Sequence, residues 1–167
     1  MSLKTLVNGI DVERQRTTAA LSDPAGVSTA TEWLGGTQTR TLVATARGGP
    51  GGAFTIDADY PDAALGSGTA PSPNELFLAA LGSSFVTSFI LAAAAADVRI
   101  EFMRVLATRA LANGSGEAPS GELELHSEVD AAASPAHLEQ LAGIALERSP
   151  VVALCRPNVR AVLVRVD

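Results

Sequence analysis

Across residues 121–130 apolar and polar side chains alternate: Leu123, Leu125, Ser127 and Val129 fall on one side, and Glu122, Glu124, His126, Glu128 and Asp130 on the other. A period of two belongs to an extended chain, so this segment is predicted to be a strand with one face in water. The run 99–111 before it is rich in β-branched and apolar residues, and the intervening Asn113-Gly114-Ser115-Gly116 tolerates positive φ. Together the two runs predict a hairpin. Alternation returns over 158–166, with Val162, Val164 and Val166 on one face of a last strand. Upstream, 29–34 and 40–46 flank Gly35-Gly36 and predict a second hairpin, 48–52 is a breaker-rich loop, and 61–71 is a connector without a period.

Two helices interrupt the strands. The first opens at Ser72-Pro73-Asn74-Glu75, which supplies a capping serine, a proline at the first helical position and an acid in the first turn. The second opens at Ser134-Pro135 and sets Leu138, Leu141, Ala142 and Ala145 at helical spacing, the pattern of an amphipathic cover. Strands and helices in this order give the fold class α+β.

From Leu76 to Ala96 the first helix carries no charge. Its length of about 30 Å would cross a bilayer, but its flanks are Glu75 and Asp97, no basic residue biases either end, no aromatic belt is present, and alternating strands follow. No membrane span is therefore expected. A helix apolar on nearly all sides must be buried all round, which a small domain rarely achieves alone. Gly82, Ser83, Ser84, Thr87 and Ser88 allow close approach of another element, so an obligate homodimer packed along this helix is expected.

Composition narrows the picture further. The 167 residues suit one domain, 1–167, and 47% apolar against 18% charged residues is enough to form a core. A net charge of −6 without a basic cluster makes nucleic acid an unsuitable partner. The first fifteen residues lack a basic, apolar and small-residue leader pattern, so a cytoplasmic address is the expectation. Cys155 is the only cysteine, so no disulfide can form within the chain.

The stretch 71–85, Pro-Ser-Pro-Asn-Glu-Leu-Phe-Leu-Ala-Ala-Leu-Gly-Ser-Ser-Phe, resembles the central-helix signature of the OsmC/Ohr family, the osmotically inducible and organic hydroperoxide resistance proteins. Trp33-Leu34-Gly35-Gly36 before it and Ser149-Pro150-Val151 after it occur in the family's order. The resemblance implies an intertwined α+β homodimer, with antiparallel sheets wrapped around two central helices and sites at the subunit interface. It also implies a thiol peroxidase chemistry, in which a helix thiolate attacks a hydroperoxide and a second cysteine captures the resulting sulfenic acid. Ser84 and Ser149 stand at those two positions. A hydroxyl neither ionises near neutral pH without a base nor forms a stable counterpart of sulfenic acid, so the two-cysteine mechanism is not expected here.

Other family positions also differ. The arginine that assists the thiolate would fall at Thr37; Arg40 is the first substitute and Arg47 the second. The glutamate ten residues before the cysteine is Asn74, while Glu75, at nine, fits other branches or serves the helix terminus. Cys155 is the alternative redox residue, a one-cysteine peroxidase resolved by an external thiol, although a free cysteine more often packs as a small apolar side chain. His126 and His137 are too few for a metal cage, no nucleophile elbow surrounds Ser84, and the glycine-rich runs lack a phosphate-loop lysine, so no cofactor or metal is expected. The expected function is an OsmC/Ohr-like protein without two-cysteine turnover. It would retain an apolar pocket for a small hydrophobic or hydroperoxide-like ligand at the dimer interface; a non-catalytic partner-binding dimer is the remaining reading.

Overall fold

The computed structural model describes residues 28–44, 53–109, 123–155 and 159–165. The glycine-rich loop at 48–52, Arg47 and the turn at 113–116 lie outside them. The chain divides into two compact units, Met1–Pro73 and Asn74–Asp167.

In the first unit, β1 (Ser28–Gly35), β2 (Gln38–Ala44) and β3 (Ala53–Ala58) form an antiparallel sheet in sequence order. Gly35 and Gly36 make the first turn at φ +128° and +56°, backbone angles that favour glycine, and Trp33 Nε1 donates to the Gly36 carbonyl at 2.9 Å. Arg40, opposite Glu32 and Asp57 in the register, donates from Nε and Nη2 to the two Asp57 carboxylate oxygens at 2.8 and 2.9 Å. That fork raises the Arg40 pKa and lowers that of Asp57, chiefly through the hydrogen bonds between them.

After β3 the connector is more ordered than its composition predicts. It holds a 3-10 turn, Asp62–Ala64, and is organised by Asp59, which is buried. The carboxylate accepts from Thr37 Oγ1 at 2.7 Å, from the Tyr60, Ser67 and Thr69 amides at 2.9, 3.1 and 3.2 Å, and from Thr69 Oγ1 at 2.9 Å. These donors favour the charged form, and the Thr37 hydroxyl, the largest influence, helps to hold the pKa far below the usual carboxylate range. A Cβ on Gly66 would lie 1.7 Å from the Tyr60 carbonyl oxygen, so only glycine fits there. Leu65 beside it sits at φ +65°, a left-handed conformation that costs a residue with a side chain about 1–2 kcal/mol.

The second unit is built on α1 (Pro73–Ala95), whose Leu81, Phe85, Ser88, Phe89, Ala92 and Ala93 are buried on one side. Its sheet has the order β4 (Ile100–Arg109), β5 (Leu123–Ala131), β6 (Val159–Arg165). The β4–β5 pair is the antiparallel hairpin expected from the alternation, with a register shift between Ile100 and Phe102. β6 runs parallel to β5. A parallel neighbour requires a crossover, and α2 (Pro135–Arg148) with α3 (Pro150–Cys155) supplies it.

Leu123, Leu125, Val129 and Ala131 of β5, Leu138, Leu141, Ala142 and Ala145 of α2, and Val152 of α3 join the buried face of α1 in one core. The wet face of β5 carries polar pairs: Arg160 Nη2 donates to Glu124, His126 Nε2 lies 2.9 Å from the same carboxylate, and Arg104 forms an ion pair with Glu128 at 2.6 Å. The hydrogen bond from Arg160, then that from His126, lowers the Glu124 pKa.

Candidate functional site

Ser84 lies on the flank of the buried stripe of α1 and is half-buried. Ser149 occupies the junction of α2 and α3 and is fully buried. Its amide donates to the Ala145 carbonyl at 2.9 Å, closing α2, and its carbonyl accepts from the Ala153 amide at 2.9 Å, opening α3. One residue thus ends one helix and starts the next, and Pro150 follows at the first helical position, where its missing N–H is no loss.

The two hydroxyls meet at 2.8 Å. Around them, the Val151 amide points at Ser84 Oγ and the Val152 amide at Ser149 Oγ, each at a long 3.4 Å. The pair is therefore a small polar island, two exchangeable hydroxyls and two backbone donors, set at the edge of an apolar core. Among the described residues no histidine or carboxylate is hydrogen-bonded to either serine.

Each of the other expected site residues has its own setting within its unit. Glu75 is exposed in the first turn of α1, about two and a half turns before Ser84. Cys155, the last residue of α3, is half-buried and packs against the apolar core of the second unit. Arg40 belongs to the first unit and is held by Asp57. Sequence reasoning missed Asp59, although Thr37 was singled out as the residue in the place of the family arginine. The signal was an acid after the alternating Phe54, Thr55, Ile56 and Asp57, ahead of a stretch rich in small hydrogen-bond donors.

A separate groove of about 290 Å³ opens between α1 and β4, lined by Leu78, Ala79, Gly82, Ser83, Val86, Val105 and Ala107. It has no charged wall. Ser83 lines it and Ser84 does not, so the groove and the hydroxyl pair lie on different sides of the same helix. Among the described residues no group of three or more histidine, cysteine, aspartate or glutamate side chains could hold a metal ion.

The fold has known relatives. An OsmC-like protein of Mycoplasma pneumoniae superimposes with a TM-score of 0.67 at 15% identity, covering 85% of this chain and 98% of its own. An organic hydroperoxide resistance protein of Elizabethkingia anophelis, solved with thiocyanate bound, gives 0.65 at 17% identity over 85% and 96%. Another from Vibrio cholerae, with captopril in one of its active sites, gives 0.59 at 22% over 83% and 90%. No curated relative matches the sequence. The OsmC-like protein family matches residues 66–163, more than half of the chain. This chain belongs to the OsmC family.

Proposed function

We propose that this protein is an OsmC-family homodimer in which the hydroperoxide-reducing thiol pair is replaced by Ser84 and Ser149. It would bind a small hydrophobic or hydroperoxide-like molecule without turning it over by the two-cysteine route. The observation that carries this reading is the 2.8 Å contact between the two hydroxyls, whose residues stand 65 positions apart in the sequence. Its chemical consequence follows from the element: oxygen at both positions cannot cycle between sulfenic acid and disulfide. Hydroperoxide resistance, named for two of the structural relatives, supplies the ligand class.

Two further observations support a shared, apolar site. Outside its buried stripe α1 presents Ala80, Ser83, Thr87, Ile90, Leu91 and Ala94, all exposed and none charged, a face better suited to a second copy than to water. The helix is long and apolar enough to span a membrane by length and composition, but one side of it is packed into the core with the strands. The groove beside Ser83 gives an apolar chain a place to lie.

The test is consumption of cumene hydroperoxide with dithiothreitol as reductant. The wild-type protein and Cys155→Ser should both leave the rate at that of dithiothreitol alone. Turnover by the wild type that disappears in Cys155→Ser would replace this reading by the one-cysteine peroxidase.

A further inference from the structure

Two positions in the second unit give up stability, and both stand beside the groove between α1 and β4. Gly82 is the first. Glycine inside a helix is less favourable than alanine and is retained where another group comes close. Among the described residues a Cβ at Gly82 would meet only the Ala107 Cβ, at 3.7 Å, an ordinary contact, and no positive φ calls for glycine. The approach of β4 therefore does not require it. What the missing methyl preserves is depth in the groove, which Gly82 lines.

Ser127 is the second. It is 1% exposed on the inner face of β5, and its hydroxyl is without a hydrogen-bond partner. In the β4–β5 register it lies opposite Val105, one pair from Ala107 and Leu125 on that face. Side chains opposite one another share a face, with Cβ atoms about 5 Å apart. Ser127 is thus aimed to the side of the sheet where Val105 and Ala107 form the β4 wall of the groove. A buried, unpartnered hydroxyl calls for an explanation, and local rules broken together in one place mark a site.

We propose that the groove takes a neutral, largely apolar molecule bearing one hydroxyl-type oxygen, that Ser127 hydrogen-bonds this oxygen, and that Gly82 leaves room for the apolar body. The inference rests on the ligand-binding reading above and gives it a site apart from the hydroxyl pair, since Ser83 lines the groove and Ser84 does not. Val105 lines the groove and Ser127 does not, so the hydroxyl is reached when the Val105 side chain turns aside. None of the lining side chains is charged, so an ionic ligand would lose its hydration without a counter-charge. A serine hydroxyl both donates and accepts, as an alcohol or hydroperoxide oxygen does. The volume of about 290 Å³ suits a small hydrocarbon body attached to it.

The test is isothermal titration calorimetry of the wild type, Ser127→Ala and Gly82→Ala with cumyl alcohol and with cumene, which lacks the oxygen. Neither substitution threatens the fold: one removes an unsatisfied hydroxyl, and the other introduces a better helix former with space for its methyl. The wild type should bind cumyl alcohol. Ser127→Ala should weaken that binding about tenfold while leaving cumene unchanged or tighter, and Gly82→Ala should weaken both. An equal effect of Ser127→Ala on the two compounds overturns the hydrogen bond. Cumyl alcohol affinity that is the same in all three proteins overturns the site and leaves the ligand-binding reading standing. A wild type that saturates with neither compound overturns the site together with the reading it rests on.

Discussion

Single side chains in this protein have roles that their polarity alone does not reveal. Ser127 lies on the inner face of β5, between Leu125 and Val129 and opposite Val105 and Leu163, and its buried hydroxyl has no hydrogen-bond partner. An unsatisfied hydroxyl in an apolar layer costs more than it returns, so Ser127→Ala should raise stability by about 1 kcal/mol in urea denaturation. Asp59 is the opposite case, a buried charge whose donors are all in place. Its depressed pKa means that it contributes stability above the ordinary value of 3.8 and loses it as pH falls through the folded-state value. Asp59→Asn should therefore unfold at lower urea than the wild type at pH 7, and the gap should narrow as pH is taken below 4. Trp33, the only tryptophan, lies in the same unit and reports the transition by its fluorescence.

At the scale of elements, the hydrophobic pattern reveals what one chain segment does by itself and is silent where segments far apart choose each other. The period of two gave away β5 and β6, β-branched and apolar composition gave away β4, and the Ser-Pro signals located the starts of both long helices to within a residue or so. That β6 lies parallel to β5 was not legible, because strand direction depends on the crossover through α2 and α3 rather than on alternation. β3 was missed as an individual strand: its Phe54 and Ile56 alternate with Thr55 and Asp57 directly after glycines that mask the period. The meeting of Ser84 and Ser149 was anticipated only through family likeness, since no periodicity links positions 65 apart.

The junction of α2 and α3 carries its own test. Ser149→Ala removes both the partner of Ser84 and the side-chain acceptor at the start of α3, while Ser84→Ala leaves that acceptor in place. Ser149→Ala should cost about 1–2 kcal/mol and Ser84→Ala about 1 kcal/mol or less, measured side by side by chemical denaturation. Equal losses would mean that the cap at α3 contributes nothing.

For the whole molecule, the uncharged outer face of α1 and the 2.8 Å contact between Ser84 and Ser149 are the two observations that the proposed shared apolar site rests on. The fold class was legible because the helix start signals and the alternation within strands are local. The proposed chemistry rests on the hydroxyl oxygens at two positions, which cannot follow the oxidation ladder of sulfur.

The most direct measurement is hydroperoxide consumption by the double variant Ser84→Cys/Ser149→Cys in a Cys155→Ser background, with a dithiol reductant, beside the wild type. In the variant one thiolate would take the terminal oxygen of the hydroperoxide, releasing the alcohol. The second thiol would then expel water to form the disulfide, which the dithiol reduces. The account predicts turnover by the variant, an intrachain disulfide in mass spectrometry, and no turnover by the wild type. A folded variant that forms no disulfide and consumes no hydroperoxide would contradict it.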